Sequence, residues 1–467
     1  MNKSEISRRV FINGTGSLAI SLPLASVSAK AEMTHTPVHM EKRRASRLAE
    51  LPSRNLPVRK RGATVITVEL PNDGTSDCSK AINDAINALP ENGGTVWLPY
   101  QKTGGSKDCI YRINTTANIY TSPKRPNHGQ PYGIKLRSNM LLQLEPGVQL
   151  RAMPTNAARA YVIFAIDVHD IEVANGAIIG DRHEHTNSGK GTDEWGHGMQ
   201  LLGVSRATVR SIYISDCEGD GICVGRGPSS RTNDLIICDV ISTRNRRQAL
   251  SITNGDNISV FDSEFSYTHG TAPQDGIDIE PDGTGQVNNV TIDNCILRGN
   301  EASGIEVNAS HGSSIRNLTV TNCMMRDNVY SGFFTVEKGT AVLDNGVLYG
   351  NAFYQNRYIA LQLAGKTTNF TIGGSSSSDS RNNLFANNMI SASRQVIYPL
   401  SASHPKKGYI AGPDMAFRAP ALAPDANNVV AWNCFSSPYI PPTEPKAHPQ
   451  AGIVSPAQGQ NDPHRTR

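Results

Sequence analysis

At 467 residues the chain is long enough for two or three ordinary domains, yet aromatics make up only 6% and glycine numbers 41. That balance suits short strands and tight corners better than one large core. The net charge of +4 is uneven: through Arg61 there are 12 Lys/Arg against 4 Glu, which leaves 33 basic and 37 acidic residues beyond it. The body is mildly acidic and lacks a basic footprint, which excludes nucleic acid as a partner.

Residues 1–29 read as an address. Ser7-Arg8-Arg9-Val10-Phe11-Ile12 resembles the twin-arginine export motif, followed by an uncharged stretch and small residues at a cleavage point near Ala29. That route carries folded proteins, so a periplasmic or secreted location is expected. No membrane insertion is expected after signal removal, because no other stretch is long and apolar enough. Residues 30–64, with Glu41-Lys42-Arg43-Arg44 and Arg59-Lys60-Arg61, are expected to form a basic, solvated linker.

The main domain is expected over 65–435, with an N-terminal cap at 73–99. Ala81-Ile82 and Ala85-Ile86 recur at helical spacing, with Asp77 or Ser79 placed to cap the start. Gly93-Gly94 then turns the chain into a strand. Such a helix would cover the open apolar end of a stacked structure. Coils are expected from near Ile134 and onward through 161–166, 171–173 and 177–179.

Residues 203–337 repeat one pattern five times, at 209–224, 235–252, 258–279, 290–307 and 318–336. Each opens on alternation, as in Val290-Thr291-Ile292-Asp293-Asn294-Cys295, breaks at a polar turn, and resumes after a glycine, as in Gly304-Ile305-Glu306-Val307-Asn308. Cys217, Val240, Ser263, Cys295 and Cys323 are read as equivalent points, 23, 23, 32 and 28 residues apart. Alternation at period two means strands with one buried face, and this repeat length means stacking. The fold expected is all-β: a single-stranded right-handed parallel β-helix with coils about 4.8 Å apart. The repeat cysteines are expected to be inward-facing free thiols. Cys78 and Cys109 could pair after export, and without C-x-x-C spacing a zinc site is discounted. The pattern loosens beyond Gly339, but Asn427-Asn428-Val429 echoes Asn288-Asn289-Val290, so a coil remnant is expected there. Residues 374–380 read as a flexible loop and 436–467 as a Pro-rich disordered tail.

The stretch from Asp73-Gly74-Thr75-Ser76-Asp77 to Gly93-Gly94-Thr95-Val96-Trp97-Leu98-Pro99 resembles the N-terminal signature of pectate-lyase-like β-helix proteins, especially the rhamnogalacturonase/epimerase-like branch. The resemblance implies the fold and a carbohydrate substrate. It does not choose the reaction, since hydrolases, lyases, epimerases and tailspikes share the scaffold. Gly196-His197-Gly198 is similar to the Gly-His-Gly element of polygalacturonases. It precedes Gly219-Asp220-Gly221, the reverse of that family's order, so no catalytic role is carried over.

In a Gly-Ile-x-Val strand the branched residues point inward, which turns Cys223, Ser251, Asp278 and Glu306 outward, with Thr253, Glu280 and Asn308 beside them. A second ladder at the preceding turn reads Asp220, Gln248, Asp275, Ser303 and Ser331. Asp278, Glu280 and Glu306 are therefore the catalytic candidates, joined by Asp275 and Asp220, which also suit turn residues bonding backbone amides. The long loop from Gly180 supplies the substrate-binding candidates Asp181, Arg182, His183, His185, Trp195 and His197. Its Trp could stack on a sugar and its Arg could meet a uronate. Arg226 and Arg247 join them, and Arg246, Arg298 and Lys338 are expected near the carboxylates. Metal binding by the His pairs is disfavoured, because His183 and His185 point to opposite sides if extended.

Together these features point to a secreted enzyme acting on an acidic polysaccharide or exopolysaccharide, with glycoside hydrolysis favoured and no cofactor required. A lyase or C5-epimerase on uronic acids is the alternative, with Ca²⁺ on Asp278, Glu280 and Glu306. A non-catalytic exopolysaccharide-binding or assembly protein is the third. The oligomeric state is not legible.

Overall fold

The structure, a computed structural model, describes residues 55–386 except 70, 72, 102–108, 124, 190 and 375–382, together with 415–420, 427–430 and 434–436. The chain divides after Asn55, and everything below concerns the unit Leu56–Arg467. The export signal, the first part of the basic linker, most of the Ser-rich loop and the Pro-rich tail lie outside the described residues.

Each coil contributes one strand to each of three sheets. Among the described residues these hold 12, 11 and 11 strands, parallel throughout except where Asn118–Ser122 meets Arg125–Lys135. The chain is a right-handed parallel β-helix. Alternation produces it directly: in Gln286–Asp293 of the first sheet, Val287, Val290 and Ile292 face the core while their neighbours face out. The corner into the second sheet needs a left-handed residue, and Asp239, Asp262, Asn294 and Asn322 supply it with φ of 51°, 55°, 52° and 53°. Asn and Asp tolerate that region best among residues with a Cβ. The corner into the third sheet is held by a buried ladder in which Asn300 donates to Asn328 and Asn328 to Asn356, each at 3.0 Å.

The helix α1 (Ser79–Ala88) buries Ile82, Ala85 and Ile86. Neither capping candidate holds the cap position, which falls to Cys78 without a side-chain cap bond, although Asp77 accepts the Ser79 amide at 2.9 Å. Asn83 donates to the Gly133 carbonyl at 2.6 Å and accepts the Lys135 amide at 2.9 Å, so one side chain satisfies the first strand of the coiled sheet as a further strand would.

Three expectations need correction. Coils begin before Ile134: Gly94–Leu98 and Cys109–Ile113 already pair with Met140–Leu144 and Val148–Ala152. The intervening segment broke the period that the eye follows. Beyond Gly339, where the pattern loosens, Val342–Tyr349, Ala352–Tyr354 and Leu361–Gly365 continue the three sheets, and Val429–Val430 and Cys434–Ser436 extend two of them.

Cys217 is not equivalent to Cys295 and Cys323. Tyr213 pairs with Ile241, so Ile212 meets Val240, while Cys217 stands one corner on and its amide bonds Asn245 at 3.1 Å. All three thiols are nonetheless buried, and Cys78 and Cys109 are free as well. Finally, the end of the basic linker is docked rather than solvated. Arg59 reaches Thr208 and Asp234, Arg61 reaches Glu172, and the strap feeds Thr64–Thr67, which pairs with Gly94–Leu98.

Candidate functional site

The third sheet carries the chemistry. Its outward positions run in unbroken register through Phe164, Gln200, Cys223, Ser251, Asp278, Glu306, Phe334 and Gln362. Ile277 and Ile279 on one strand, and Ile305 and Val307 on the next, fill the core and force Asp278 and Glu306 out on the same wall. Outward here does not mean wet. Asp278 is only 3% exposed, whereas Glu280 and Glu306 are half-buried.

Gln248, from the neighbouring coil, donates its side-chain amide to Asp278 Oδ2 at 2.5 Å, and Asp278 Oδ1 is enclosed without a hydrogen-bond partner. Burial, reinforced by the charges of Glu280 and Glu306, pushes the Asp278 carboxyl well above the ordinary range. Asp275, fully buried one turn earlier, is raised in the same way, by burial first and then by Glu306 and Asp278. The Asn308 amide bridges the two outer groups, at 3.0 Å from Glu280 Oε1 and 3.3 Å from Glu306 Oε1. The arrangement is two enclosed aspartates with raised carboxyls beneath two glutamates that reach solvent.

Asp220 and Asp275 do what their turn position suggests. Asp220 Oδ1 accepts the Gln248 amide at 3.2 Å, and Asp275 Oδ1 accepts the Ser303 amide at 2.6 Å. Asp220 also takes Ser251 Oγ at 2.8 Å and Arg247 Nη1 at 3.3 Å. Arg247 is thus a cation that acts on both Asp220 and Asp278.

His197 lies in a strand, Trp195–Leu202, rather than in the loop, and its ring stacks on Tyr161 with centroids 5.5 Å apart. The Asp220 amide donates to its Nδ1 at 2.9 Å, so the neutral ring carries its proton on Nε2. Burial holds that ring neutral, with its pKa down to about 4.

Among the described residues the trio whose ligand atoms lie within 4.8 Å of one another is His197, Asp220 and Cys223. It does not suit a cation. The Nδ1 lone pair is taken, Nε2 bears hydrogen, burial pushes the Cys223 thiol far up, and Arg247 already neutralises Asp220.

The loop after Ala177–Ile179 is largely self-satisfied. Asp181 meets His185 at 3.1 Å, and Asp193 stands 3.5 Å from the other nitrogen of that ring. Burial opposes charging of His185, but Asp181, Glu218 and Asp193 outweigh it and raise its pKa. Arg182 donates to the carbonyls of Arg244 and His269 at 2.6 and 2.8 Å, and exposed His183 sits 3.2 Å from Asp216. Trp195 is 40% exposed, with Arg159 and Arg247 at 5.1 and 5.9 Å from its ring. Arg226 is exposed on the coil that carries Cys223.

Arg298 is not beside the carboxylates as expected; it belongs to the second sheet, where it pairs with buried Glu264 at 3.0 Å. Three residues were overlooked for want of a local signal: Gln248 as the partner of Asp278, Glu218, and Phe334 next in register to Glu306. Glu218, bonded to Arg246 at 2.9 Å, is pushed up by burial to about 7.

Residues 168–347 match the family described as right handed beta helix region, and these are the coils that hold Asp278, Glu280 and Glu306. Fold and match together define the class: the chain is a right-handed parallel β-helix. It is 32% identical over 255 residues to YclG of Bacillus subtilis, described as uncharacterized, covering 50% of this chain and 41% of that one. It is 28% identical over 224 residues to YorA, an uncharacterized SPbeta prophage-derived protein of the same organism, covering 45% and 36%. The chain therefore spans less than half the length of either relative. Among solved structures, ORF18 of Geobacillus virus E2 superimposes with a TM-score of 0.52 at 13% identity, over 74% of this chain and 63% of that one, a likeness of fold. No helix among the described residues is long and apolar enough to cross a membrane.

Proposed function

We propose that the chain is a polysaccharide-active enzyme that cleaves glycosidic bonds by hydrolysis along the outer face of the third sheet. The observation that carries this reading is the pairing of Asp278 with Glu306 on adjacent strands, one carboxyl enclosed and the other reaching solvent. Carboxyls about one strand spacing apart, roughly 5 Å, in environments this different divide naturally into proton donor and nucleophile. Asp278 would hold the proton, and substrate binding would uncover its enclosed oxygen. Glu306, with Glu280 beside it, would attack the anomeric carbon as the leaving sugar takes the Asp278 proton. Water, deprotonated by the Asp278 carboxylate, would then release the sugar from Glu306. Trp195 between Arg159 and Arg247 supports an acidic sugar among the substrate's units. Twin-arginine export to the periplasm or beyond belongs to the same proposal.

The test is a panel of acidic and neutral polysaccharides scored for new reducing ends and for ultraviolet absorbance of unsaturated uronates. Glu306→Gln and Asp278→Asn should each lower reducing-end release by about 10²-fold or more. Undiminished release in both variants would refute the assignment. Rising unsaturation would replace hydrolysis by elimination, the reaction for which a Ca²⁺ requirement is then measured.

A further inference from the structure

The outward ladder continues past the carboxylates: Phe334 is the register partner of Glu306, and Gln362 that of Phe334. Phe334 is half-buried and meets the Tyr330 ring edge-on, with centroids 5.4 Å apart and planes at 86°. Tyr330 stacks on Tyr358 at 4.6 Å and 12°. These tyrosines occupy the same corner of successive coils, the Tyr358 amide bonding the Tyr330 carbonyl, so their stacking direction follows the coil axis. A ring perpendicular to them has its plane parallel to that axis. Phe334 thus offers a flat apolar face lying along the row that contains Glu306.

Gln362 adds an independent observation. Its side chain is 0% exposed, and neither its amide oxygen nor its amide nitrogen has a hydrogen-bond partner. An enclosed donor and acceptor left open together are unfavourable unless an occupant offers both functions, as sugar hydroxyls do.

We propose that Phe334 and Gln362 form the subsite for the pyranose unit next to the cleavage point, with the C–H face of the sugar on the Phe334 ring and its hydroxyls on Gln362. The polymer then runs along the coil axis, in line with Glu306 and Asp278. This subsite rests on the reading of those two carboxyls as the cleaving pair. Tyr330 and Tyr358 act as positioning residues that hold the Phe334 ring upright.

The experiment is native electrophoresis through gels containing polygalacturonate, alginate, xylan or dextran, with Glu306→Gln as the parent so that cleavage does not erase the matrix. The parent should be retarded in at least one gel. Adding Phe334→Leu, which keeps apolar area but removes the flat face, should weaken binding about tenfold, and Phe334→Trp should retain it. Gln362→Leu should weaken binding as well, with an unfolding temperature equal to or above the parent's, which keeps the test open should the Phe334 variants fold poorly. No retardation of the parent in any gel, or equal retardation of the parent and Phe334→Leu, overturns the subsite. If Glu306→Gln still cleaves at the wild-type rate, the carboxylate assignment falls while binding lost on Phe334→Leu still supports the subsite.

Discussion

Arg59 Nη1 lies 2.8 Å from Asp234 Oδ2 across 175 residues of sequence, and the same guanidinium donates to the Ala207 carbonyl and to Thr208 Oγ1, each also at 2.8 Å. The strap before the first strand is thereby pinned across several coils of the first sheet. Arg59 is 4% exposed while the Asp234 side chain is 42% exposed. Removing the arginine leaves enclosed acceptors behind, whereas removing the aspartate exposes its partner to water. Arg59→Ala should therefore cost about 2 kcal/mol in urea unfolding, and Asp234→Ala about 1 kcal/mol or less. Equal midpoints for wild type and Arg59→Ala would mean that the strap does not hold the coils.

The Asn328 side chain is completely buried; its amide donates to Asn356 Oδ1 and the Leu297 carbonyl, and its oxygen receives the Asn300 backbone and side-chain amides. Asn328→Ala opens these buried groups at once and should destabilise by about 3 kcal/mol or more. Asn317 also bonds an asparagine on each neighbouring coil, but in the solvent-facing row. Asn317→Gly, which accepts the left-handed φ of 57° at that position, should stay within about 0.5 kcal/mol of wild type. Matching losses in the two variants would show that burial does not set the ladder's strength.

These ladders mark where reading the sequence succeeds and where it stops. The period-two alternation, the outward register of Ser251, Asp278 and Glu306, and the amide-bonding turns at Asp220 and Asp275 all follow from local pattern, because register in a stacked coil repeats once it is set. Enclosure does not follow from pattern. Nothing local says that Asp278 is covered while Glu306 is not, or that Arg59 leaves a basic run to dock beside Asp234. The misplaced Cys217 has the same origin: a cysteine closing a run of alternating residues imitated Cys295 and Cys323, while the pairing of Tyr213 with Ile241 assigns the corner to Ile212. Phe334 escaped notice because its ring is set by Tyr330 at the corner before it and by Tyr358 on the next coil, contacts that period-two alternation does not announce.

The raised carboxyl of Asp278 has a thermodynamic sign. Its folded pKa exceeds the unfolded value near 3.9, so the folded state binds more protons than the unfolded one above that pH. The stability contributed is complete below the unfolded pKa and is lost as pH rises toward the folded value, at about 1.4 kcal/mol per unit of pKa elevation. Asp278→Asn keeps an acceptor for Gln248 and carries no charge. Its unfolding free energy should exceed that of wild type at pH 8 and converge with it toward pH 4, even as turnover is lost. A constant difference across that range would show that Asp278 is not protonated in the fold.

Glu218 titrates in a narrower and more accessible window. Burial raises its carboxyl from 4.5 to about 7, with Arg246 and His185 opposing the rise. By the same sign, its stabilising contribution is full at pH 4 and disappears between roughly pH 4.5 and 7 as the folded form is forced to ionise. His185, itself raised, loses its own contribution as pH climbs above the ordinary histidine range, so the two losses follow one another. Glu218→Gln preserves an oxygen for Arg246, removes the first loss and leaves the second to Asp181 and Asp193. Chemical denaturation from pH 4 to 8 should show the variant losing less stability than wild type between about pH 4.5 and 7, on top of the loss from Asp275 and Asp278 that both proteins share. A variant that retains the full slope between pH 4.5 and 6.5 would assign that loss to other groups and leave Glu218 ionised throughout.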